Sequence, residues 1–541
     1  LSLLTRLLWG DPGIRSTYRF SGALFLRLLG LVFLIAFVSF WTQASGLVGD
    51  HGLVPLKIYY EALQSHKELG MMDRFLASPS LLWFSPNSAG VNVLVGAGVA
   101  CALLAMMGLV PGWALLGCVL TYGSLRGGVP VFLSYQWDML LVETGLVALL
   151  FVPWGWWQNP MAPRDPPAVG RWSLWWLLFK LMFMSGLVKL LWNGDGLGPS
   201  NPGWFRQLVS KVTNVPIGNN TWLDGTALQY HYFTQPIPAP TSWWFHNLSP
   251  GTQAVSVWTC MFIELAVPFF FFGPRRLRHL AALAQIFLQF MFMVSGNYGF
   301  FNLLTIVLCI PLLDDTFWPA KVRRYIERGK VKPLAPAAPP RIWNRIPAIL
   351  RMTLAGFIFL VGLVQFHLTW IERTGAPPTP WQNMDNAPLP DRIALEMQQI
   401  GLVSPYGLFR VMTTERPEIV IEGSDDGKTW KPYEFVWKPG DVMREPSYTT
   451  PHMPRLDWQM WFAALEIYHN HSMPQILPLL CNQLHEGNPY VLALLENNPF
   501  PKEPPKLIRV VVYLYQFATP EEHAQTGAWW VRKQLGVLNY T

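Results

Sequence analysis

The stretch SGALFLRLLGLVFLIAFVSFW, residues 21–41, decides the class of this protein. A membrane-spanning helix needs about 20 consecutive apolar residues, and this stretch has that length with Arg27 as its single charge. It is longer than the apolar core of a secretory signal peptide and begins well inside the chain. We therefore expect an uncleaved membrane anchor.

The composition extends this expectation to the whole chain. Of 541 residues, 51% are hydrophobic and 13% are charged, and the mean hydropathy is +0.24. The 27 tryptophans suit the aromatic belts that membrane proteins place at the bilayer surface. The net charge of +7 follows from loops rather than from a basic stripe with nucleic-acid motifs, so we expect a lipid bilayer as partner and no nucleic acid.

Hydropathy predicts a polytopic α-helical bundle of about nine spans, with a range of eight to ten, in residues 1–368. An α+β domain is expected to follow in residues 369–541, because strand and helix patterns alternate there and its length suffices for a core. The nine segments lie near 21–41, 90–110, 112–125, 137–153, 173–192, 253–272, 279–295, 298–313 and 346–368.

The distribution of Lys and Arg predicts the orientation. Basic residues are concentrated before the first span, at 164–171, at 275–278 and at 321–345, so the amino terminus is expected in the cytoplasm. An odd number of spans then places the loops 42–89 and 193–252 and the tail on the lumenal or extracytoplasmic face. The sequons at Asn219, Asn247 and Asn539 all fall on that face, which would allow glycosylation in a secretory compartment.

A second unusual stretch is LQYHYFTQPIPAPTSWW, from Leu228 to Trp244. Its closely spaced prolines predict a stiff, extended loop, which suits recognition at a membrane surface. The alternative is that its polar groups only fasten the loop to the bundle, and for His231 and Gln235 we expect that role. The candidate residues are Tyr230, His231, Gln235, Pro236, Trp243 and Trp244.

In the tail, apolar alternation predicts strands at Leu408–Thr413, Glu418–Gly423, Trp430–Trp437 and Leu507–Phe517, with a turn at residues 424–427. Asp457 is predicted to cap a helix that buries Trp458 and Trp461, and Asn488-Pro489 to open another.

Six ionisable residues lie in or beside the spans, where the cost of burial makes them functional candidates. A buried pair between Lys180 and Glu264, or with Arg27, would be purely structural. Asp138 and Glu143 are about 140° apart on a helix and should not form an acid–base dyad, and Lys189 is near enough to the end of its span to snorkel. The six are Arg27, Asp138, Glu143, Lys180, Lys189 and Glu264.

Motifs for other chemistry are weak. The five cysteines form no CxxC pair, and His469-Asn470-His471 lacks the context of a metal site. Neither a nucleotide-binding loop nor a nucleophile elbow occurs. We expect no metal and no cofactor.

Several long blocks resemble the lipase maturation factor family, and they occur in the same order. The resemblance implies a multi-pass membrane protein of the endoplasmic reticulum, or of the inner membrane in a bacterium. It also implies a chaperone-like role rather than an enzymatic one, helping secreted clients such as homodimeric lipases to fold and assemble. The blocks include GDHGLVP (49–55), SYQWDMLLVETG (134–145), LLFKLMFMSGLVKL (177–190), the loop above, YGLFRVMT (406–413) and PHMPRLDWQMWFAAL (451–465).

GDHGLVP and SGLVKL (185–190) are also similar to the membrane core of the vitamin K-dependent carboxylase group. That fainter resemblance implies an alternative function, a membrane-embedded enzyme with Lys189 as its base. A transporter is a third possibility because of the intramembrane charges, but no inverted repeat is evident.

Overall fold

The computed structural model describes residues 8, 16–65, 70–158, 164–191, 204–213, 220–322, 346–374 and 387–540. Within these ranges, six helices are long and apolar enough to cross a membrane. They are Arg19–Val48, Ser88–Met107, Ala168–Leu191, Pro250–Phe272, Arg275–Ser295 and Pro347–Ile371.

The helices of residues 19–374 form the bundle and its loops. In chain order they are α1 (Arg19–Val48), α2 (Leu56–Ser65), α3 (Met71–Ala77), α4 (Ser88–Met107), α5 (Pro111–Gly128), α6 (Pro130–Leu133), α7 (Gln136–Leu149), α8 (Ala168–Leu191), α9 (Trp204–Thr213), α10 (Ala227–Thr234), α11 (Pro240–His246), α12 (Pro250–Leu265), α13 (Arg275–Ser295), α14 (Phe301–Cys309) and α15 (Ile346–Thr374). Short 3₁₀ turns lie at Leu81–Phe84, Val267–Phe272 and Ile310–Leu312.

Each of the nine apolar segments expected from hydropathy is helical, but only six meet the length and hydropathy of a crossing. The remaining three are α5, α7 and the short apolar helix Phe301–Leu312. They pack among the longer helices, with α5 against α4 and α7 and with α14 against α13. A polytopic helical bundle is therefore present, and the count of nine spans stays a prediction.

Local chemistry sets the ends of the helices. The Asn87 side chain accepts a hydrogen bond from Gly90 N at 2.9 Å and begins α4, which ends at Gly108 with φ +72°. Only a residue without a Cβ adopts that angle freely. Ser249 accepts from Thr252 N ahead of Pro250, which opens α12 with its φ already suited to a helix.

The carboxyl-terminal region contains one sheet and several short helices. Its elements are α16 (Leu389–Gln399), β1 (Arg416–Ser424), β2 (Lys431–Tyr433), α17 (Arg455–Leu465), a π turn at Glu466–Asn470, α18 (Ile476–His485), α19 (Pro489–Leu492), β3 (Leu507–Phe517), α20 (Pro520–Thr526) and β4 (Trp530–Asn539). The sheet is antiparallel in the order β2-β1-β3-β4, with Ile421 opposite Val510 in its centre.

The strand predictions at 418–423 and 507–517 are confirmed, and so is the turn at 424–427, where Gly427 has φ +70°. The predicted strand at 430–437 is reduced to β2. The prediction for Leu408–Thr413 is wrong: these residues form turns and bends, because Phe409 adopts φ +52°, which a strand cannot accommodate.

The extended loop predicted for Leu228–Trp244 is also wrong over most of its length. The stretch folds into α10 and α11, and only residues 235–239 between them are not helical. Pro240 stands at the first position of α11, where its missing N–H costs no hydrogen bond.

The bundle and the carboxyl-terminal region share one hydrophobic core. Buried Phe33 and Leu141 of the bundle belong to the same cluster as Tyr406, Ile419 and Met460. Residues more than 300 positions apart in the sequence therefore pack in the same core. The carboxyl-terminal region packs directly against the helices and is not joined to them by the chain alone.

Candidate functional site between the bundle and the carboxyl-terminal region

A buried ion pair joins α17 to α7. Both nitrogens of the Arg455 fork donate to Asp138, with Nη1 2.6 Å from Oδ2 and Nη2 2.8 Å from Oδ1. The Tyr122 hydroxyl donates to the same carboxylate at 2.6 Å, and Arg455 Nη1 also donates to the Phe132 carbonyl. Both members of the pair are fully buried. Such a bidentate pair fixes the orientation of two elements as well as their distance.

A second buried carboxylate, Glu143, binds the bundle and the carboxyl-terminal region together. Lys180 Nζ donates to Oε1 at 2.5 Å, while the Tyr406 hydroxyl and Ser404 N donate to Oε2 at 2.5 and 3.1 Å. Asp138 and Glu143 therefore serve different partners, as their angular separation on α7 predicted. The alternative of a direct pair between Lys180 and Glu264 is wrong.

Glu264 instead pairs with Lys189. Both carboxylate oxygens lie 2.6 Å from Lys189 Nζ, and the lysine is only 4% exposed. The expected snorkelling of Lys189 is wrong, because its partner on α12 is close enough to satisfy the ammonium inside the bundle. Arg27 takes part in neither pair and donates to the Ala23 carbonyl and to Gln158.

The α10–α11 hairpin, residues 227–246, is held from inside by its polar groups. His231 Nε2 lies 2.8 Å from the Tyr298 hydroxyl, which donates to Gln235 Oε1 at 2.6 Å. The Gln235 amide nitrogen donates to Ser242 Oγ and to the Ser295 carbonyl. His231 and Gln235 are buried, and the hydrogen bonds of their side chains are made within the hairpin and with the bundle.

The carboxyl-terminal region also binds this hairpin, through hydrogen bonds from Arg416 to backbone carbonyls. Arg416 Nη1 donates to the Phe233 carbonyl at 2.7 Å and Nη2 to the Pro236 carbonyl at 2.9 Å. Glu418 holds the guanidinium, with Oε1 2.9 Å from Nε and 2.6 Å from Nη2, and Lys438 Nζ donates to its other oxygen. Burial lowers the pKa of Arg416, and Glu418 opposes that shift by stabilising the charge.

Tryptophan side chains add further contacts between the bundle and the carboxyl-terminal region. Trp243 Nε1 donates to the Ala518 carbonyl at 2.7 Å, and Trp461 Nε1 donates to the Thr234 carbonyl at 2.9 Å. Trp458 packs edge-on against Trp137 of α7. Trp244 is largely exposed and Tyr230 is half-buried, so of the candidate residues in this hairpin Trp244 is the one that faces outward.

Asp457 is not the helix cap that the sequence predicted. The helix α17 begins at Arg455 after Pro454, which places Asp457 inside the first turn. Its carboxylate accepts hydrogen bonds from the backbone N–H groups of Trp437 and Lys438, both at 2.9 Å. Burial raises the pKa of Asp457, and these two donors and the Lys438 charge oppose that shift.

The sequence reasoning missed Arg416, Glu418 and Arg455, which form buried charged contacts at this interface. A usable signal was present in RPEIVIEGS, since Arg416 and Glu418 are two residues apart in a strand and so share one face, directly before the apolar run Ile419–Ile421. Among the described residues, no group of three or more His, Cys, Asp or Glu side chains has an arrangement that could hold a metal ion.

Of the predicted sequons, Asn219 lies outside the described residues. Asn247 and Asn539 are both exposed.

One strand of the sheet has a free edge. In the described part of the chain, β4 pairs only with β3, and its residues from Arg532 to Asn539 are exposed. The exposed apolar side chains on it are Leu535, Val537 and Leu538. An unpaired strand edge offers N–H and C=O groups to another chain.

Comparison with known proteins gives consistent matches over nearly the whole chain. The model of the lipase maturation factor transmembrane domain matches residues 20–195 and 204–320, and that of the lipase maturation factor C-terminal domain matches residues 402–539. Lipase maturation factor 2 of Xenopus laevis is 31% identical, covering 96% of this chain and 82% of that protein.

Two further relatives agree. Lipase maturation factor 2 of Homo sapiens is 31% identical over 94% of this chain and 81% of its own length, and lipase maturation factor 1 of Bos taurus is 28% identical over 96% and 88%. No solved structure matches. These matches lend no support to the likeness with the carboxylase group.

Proposed function

Because the chain belongs to the lipase maturation factor family, we propose that it is a membrane-bound maturation factor that assists the folding and assembly of secreted lipases. The relatives' names give the client class. Client contact on the carboxyl-terminal region, the compartment and the topology are the parts of the proposal that experiments must test.

The observation that carries the proposal is the attachment of the carboxyl-terminal region to the bundle through buried polar contacts. Asp138 and Glu143 of α7 are each bonded to a residue of that region, and Arg416 grips the hairpin. A client bound there would be held at a fixed distance and orientation from the membrane. A folding factor of this kind needs no chemistry, since it only has to cover an apolar surface until the client's own interface closes.

The free edge of β4 is the proposed client contact. An extended segment of an unassembled client can add to such an edge through main-chain hydrogen bonds, while apolar side chains supply further area. Leu535 and Val537 are 43% and 40% exposed, and basic Arg532 and Lys533 beside them discourage self-association of the edge.

The proposed location is the endoplasmic reticulum membrane, with nine spans, a cytoplasmic amino terminus and a lumenal carboxyl-terminal region. The described ends of the helices support this topology. Arg171, Arg275 and Arg278 lie at the same end of the bundle as Tyr18, where Arg275 pairs with Asp314 at 2.9 Å. The carboxyl-terminal region packs at the other end, and a basic end is the one expected in the cytoplasm.

Secretion of an active lipase tests the client contact. In cells that lack their own maturation factor, the double variant Leu535→Glu/Val537→Glu is expected to lower the secreted lipase activity by about tenfold, the effect of losing about 1.4 kcal/mol of binding free energy. The matched control is Met473→Glu/Leu479→Glu, which places two carboxylates on similarly exposed apolar residues of the same region.

The two double variants must accumulate to equal levels for the comparison to count. Full lipase activity with the β4 variant, or an equal loss of lipase activity with both variants, would show that β4 is not the client contact.

A further inference from the structure

An apolar cavity of about 330 Å³ lies inside the bundle, beneath the α10–α11 hairpin. Ligand pockets span roughly 300–1,000 Å³, so the cavity is large enough to hold part of a lipid. Its walls come from α8, α12 and α13, and Leu181, Ile263 and Phe292 lie among the lining residues. Phe287 and Leu248 also line it and are largely exposed, which places an opening on the outer surface of the bundle.

One polar group in the lining is a hydrogen-bond acceptor without a partner. The single hydroxyl proton of Tyr298 is donated to Gln235 Oε1, so Tyr298 must accept from His231 Nε2. His231 therefore carries its proton on Nε2, which leaves Nδ1 as a bare lone pair. That nitrogen has no hydrogen-bond partner among the described residues, although His231 is buried and only 7% exposed.

The environment of His231 keeps the ring neutral. Burial, together with the Lys189 charge, lowers its pKa to about 3. At neutral pH the ring therefore acts as an acceptor at Nδ1 and cannot serve as a second donor.

Asn302 supplies a second acceptor of the same kind. Its amide nitrogen donates to Gln289 Oε1 at 2.7 Å, whereas its own carbonyl oxygen Oδ1 has no partner in the described structure. Asn302 is only 2% exposed and lines the cavity. A buried polar atom without a partner is energetically unfavourable, and two such acceptors in one cavity point to a ligand that donates hydrogen bonds.

The charges in the lining argue against an ionic ligand. Lys189 and Glu264 neutralise each other through two contacts of 2.6 Å. Three hydroxyls of the lining already donate their hydrogen atoms to backbone carbonyls, those of Ser185, Ser256 and Thr259. A neutral donor with a long apolar body fits this lining best.

We propose that the cavity binds a single-chain neutral lipid with two hydroxyl groups, a monoacylglycerol. Its hydroxyls donate to His231 Nδ1 and Asn302 Oδ1, and its acyl chain follows the apolar wall towards the opening at Phe287. Two acceptors match the two hydroxyls of this head group, whereas a sterol offers a single hydroxyl.

Photolabelling of the purified full-length protein tests the proposal. The probe is a monoacylglycerol with a diazirine and an alkyne in its acyl chain, and labelled peptides are identified by mass spectrometry. Adducts are expected in residues 181–189, 245–264 and 287–302. Excess monooleoylglycerol should suppress them about tenfold, while methyl oleate, which has the same chain and no hydroxyl, should not, because it cannot donate hydrogen bonds to the two buried acceptors.

Two variants locate the site. Ser185→Leu fills the cavity and Asn302→Leu removes one acceptor, and each should lower specific labelling. Ser173→Leu is the matched control, since Ser173 is a buried serine of the same helix that does not line this cavity.

Labelling spread over all the long helices would overturn the proposal, and so would equal competition by methyl oleate. Stronger competition by cholesterol than by monooleoylglycerol would overturn the choice of an acylglycerol. These competition results come from the unaltered protein, so they hold even if a variant fails to fold.

Discussion

At the scale of single residues, the Arg455–Asp138 pair determines how the two regions meet. Removing one member of a buried ion pair costs about 3–5 kcal/mol because the other charge stays buried without a partner. Arg455→Met should therefore lower the apparent unfolding temperature strongly in detergent. Lys57→Met should change it little, because the Lys57–Glu61 pair is exposed and such pairs contribute about 0–1 kcal/mol.

The double variant Arg455→Met/Asp138→Leu completes this experiment. Since it removes both charges, it should recover much of the loss caused by Arg455→Met alone. An unfolding temperature for Arg455→Met that equals that of Lys57→Met would show that the Arg455–Asp138 pair contributes nothing to the attachment.

A histidine in the same interface makes the stability depend on pH. His452 Nδ1 lies 3.0 Å from Ser39 Oγ of α1, and burial together with the Arg455 charge lowers its pKa to about 4. The unfolded chain has a histidine pKa of about 6.5, so between these values the unfolded state binds more protons. Stability should fall as the pH drops from 6.5 towards 4, by up to about 1.4 kcal/mol for each pH unit.

The difference between two histidine variants isolates this effect. His452→Gln should flatten the fall in unfolding temperature between pH 6.5 and 4.5, whereas His469→Gln, at an exposed position, should leave the slope unchanged. Parallel slopes for the unaltered protein and His452→Gln would refute the assignment to His452.

At the scale of elements, the sequence predicts what depends on local pattern. The β3 strand was predicted with its observed bounds, since LIRVVVYLYQF is rich in β-branched and aromatic residues. The start of the helix at Asn488-Pro489 was also predicted, and there the Asn488 side chain accepts a hydrogen bond from Tyr490 N. Both features are decided by neighbours a few residues away.

The features that the sequence did not predict depend on distant partners. Lys180 has Glu143 and not Glu264 beside it because α8 packs against both α7 and α12, and helix periodicity alone does not say which side chain meets which. The bend at Phe409 is likewise fixed from outside, by Trp222 Nε1 donating to its carbonyl at 3.0 Å. The polar contacts of this interface join elements that are hundreds of residues apart, so local sequence patterns do not predict them.

At the scale of the whole molecule, shared burial makes the two regions interdependent. Truncation before residue 387 removes Arg455 and Tyr406 and so leaves Asp138 and Glu143 short of their partners. The bundle alone should be less stable than in the full chain, which makes loss of lipase maturation by such a truncation uninformative about client binding.

Because of this dependence, we expect the effect of one substitution on the unfolding temperature to have opposite signs in the full and the truncated chain. In the full chain, Asp138→Leu should lower the unfolding temperature, because it leaves the buried Arg455 guanidinium without its carboxylate partner. In the truncated chain the same change should raise it, since it removes a buried carboxylate that has lost its cation, and the fraction that elutes as a single species in size-exclusion chromatography should rise too. A fall in both contexts would mean that Asp138 serves the bundle through Tyr122 rather than through the carboxyl-terminal region.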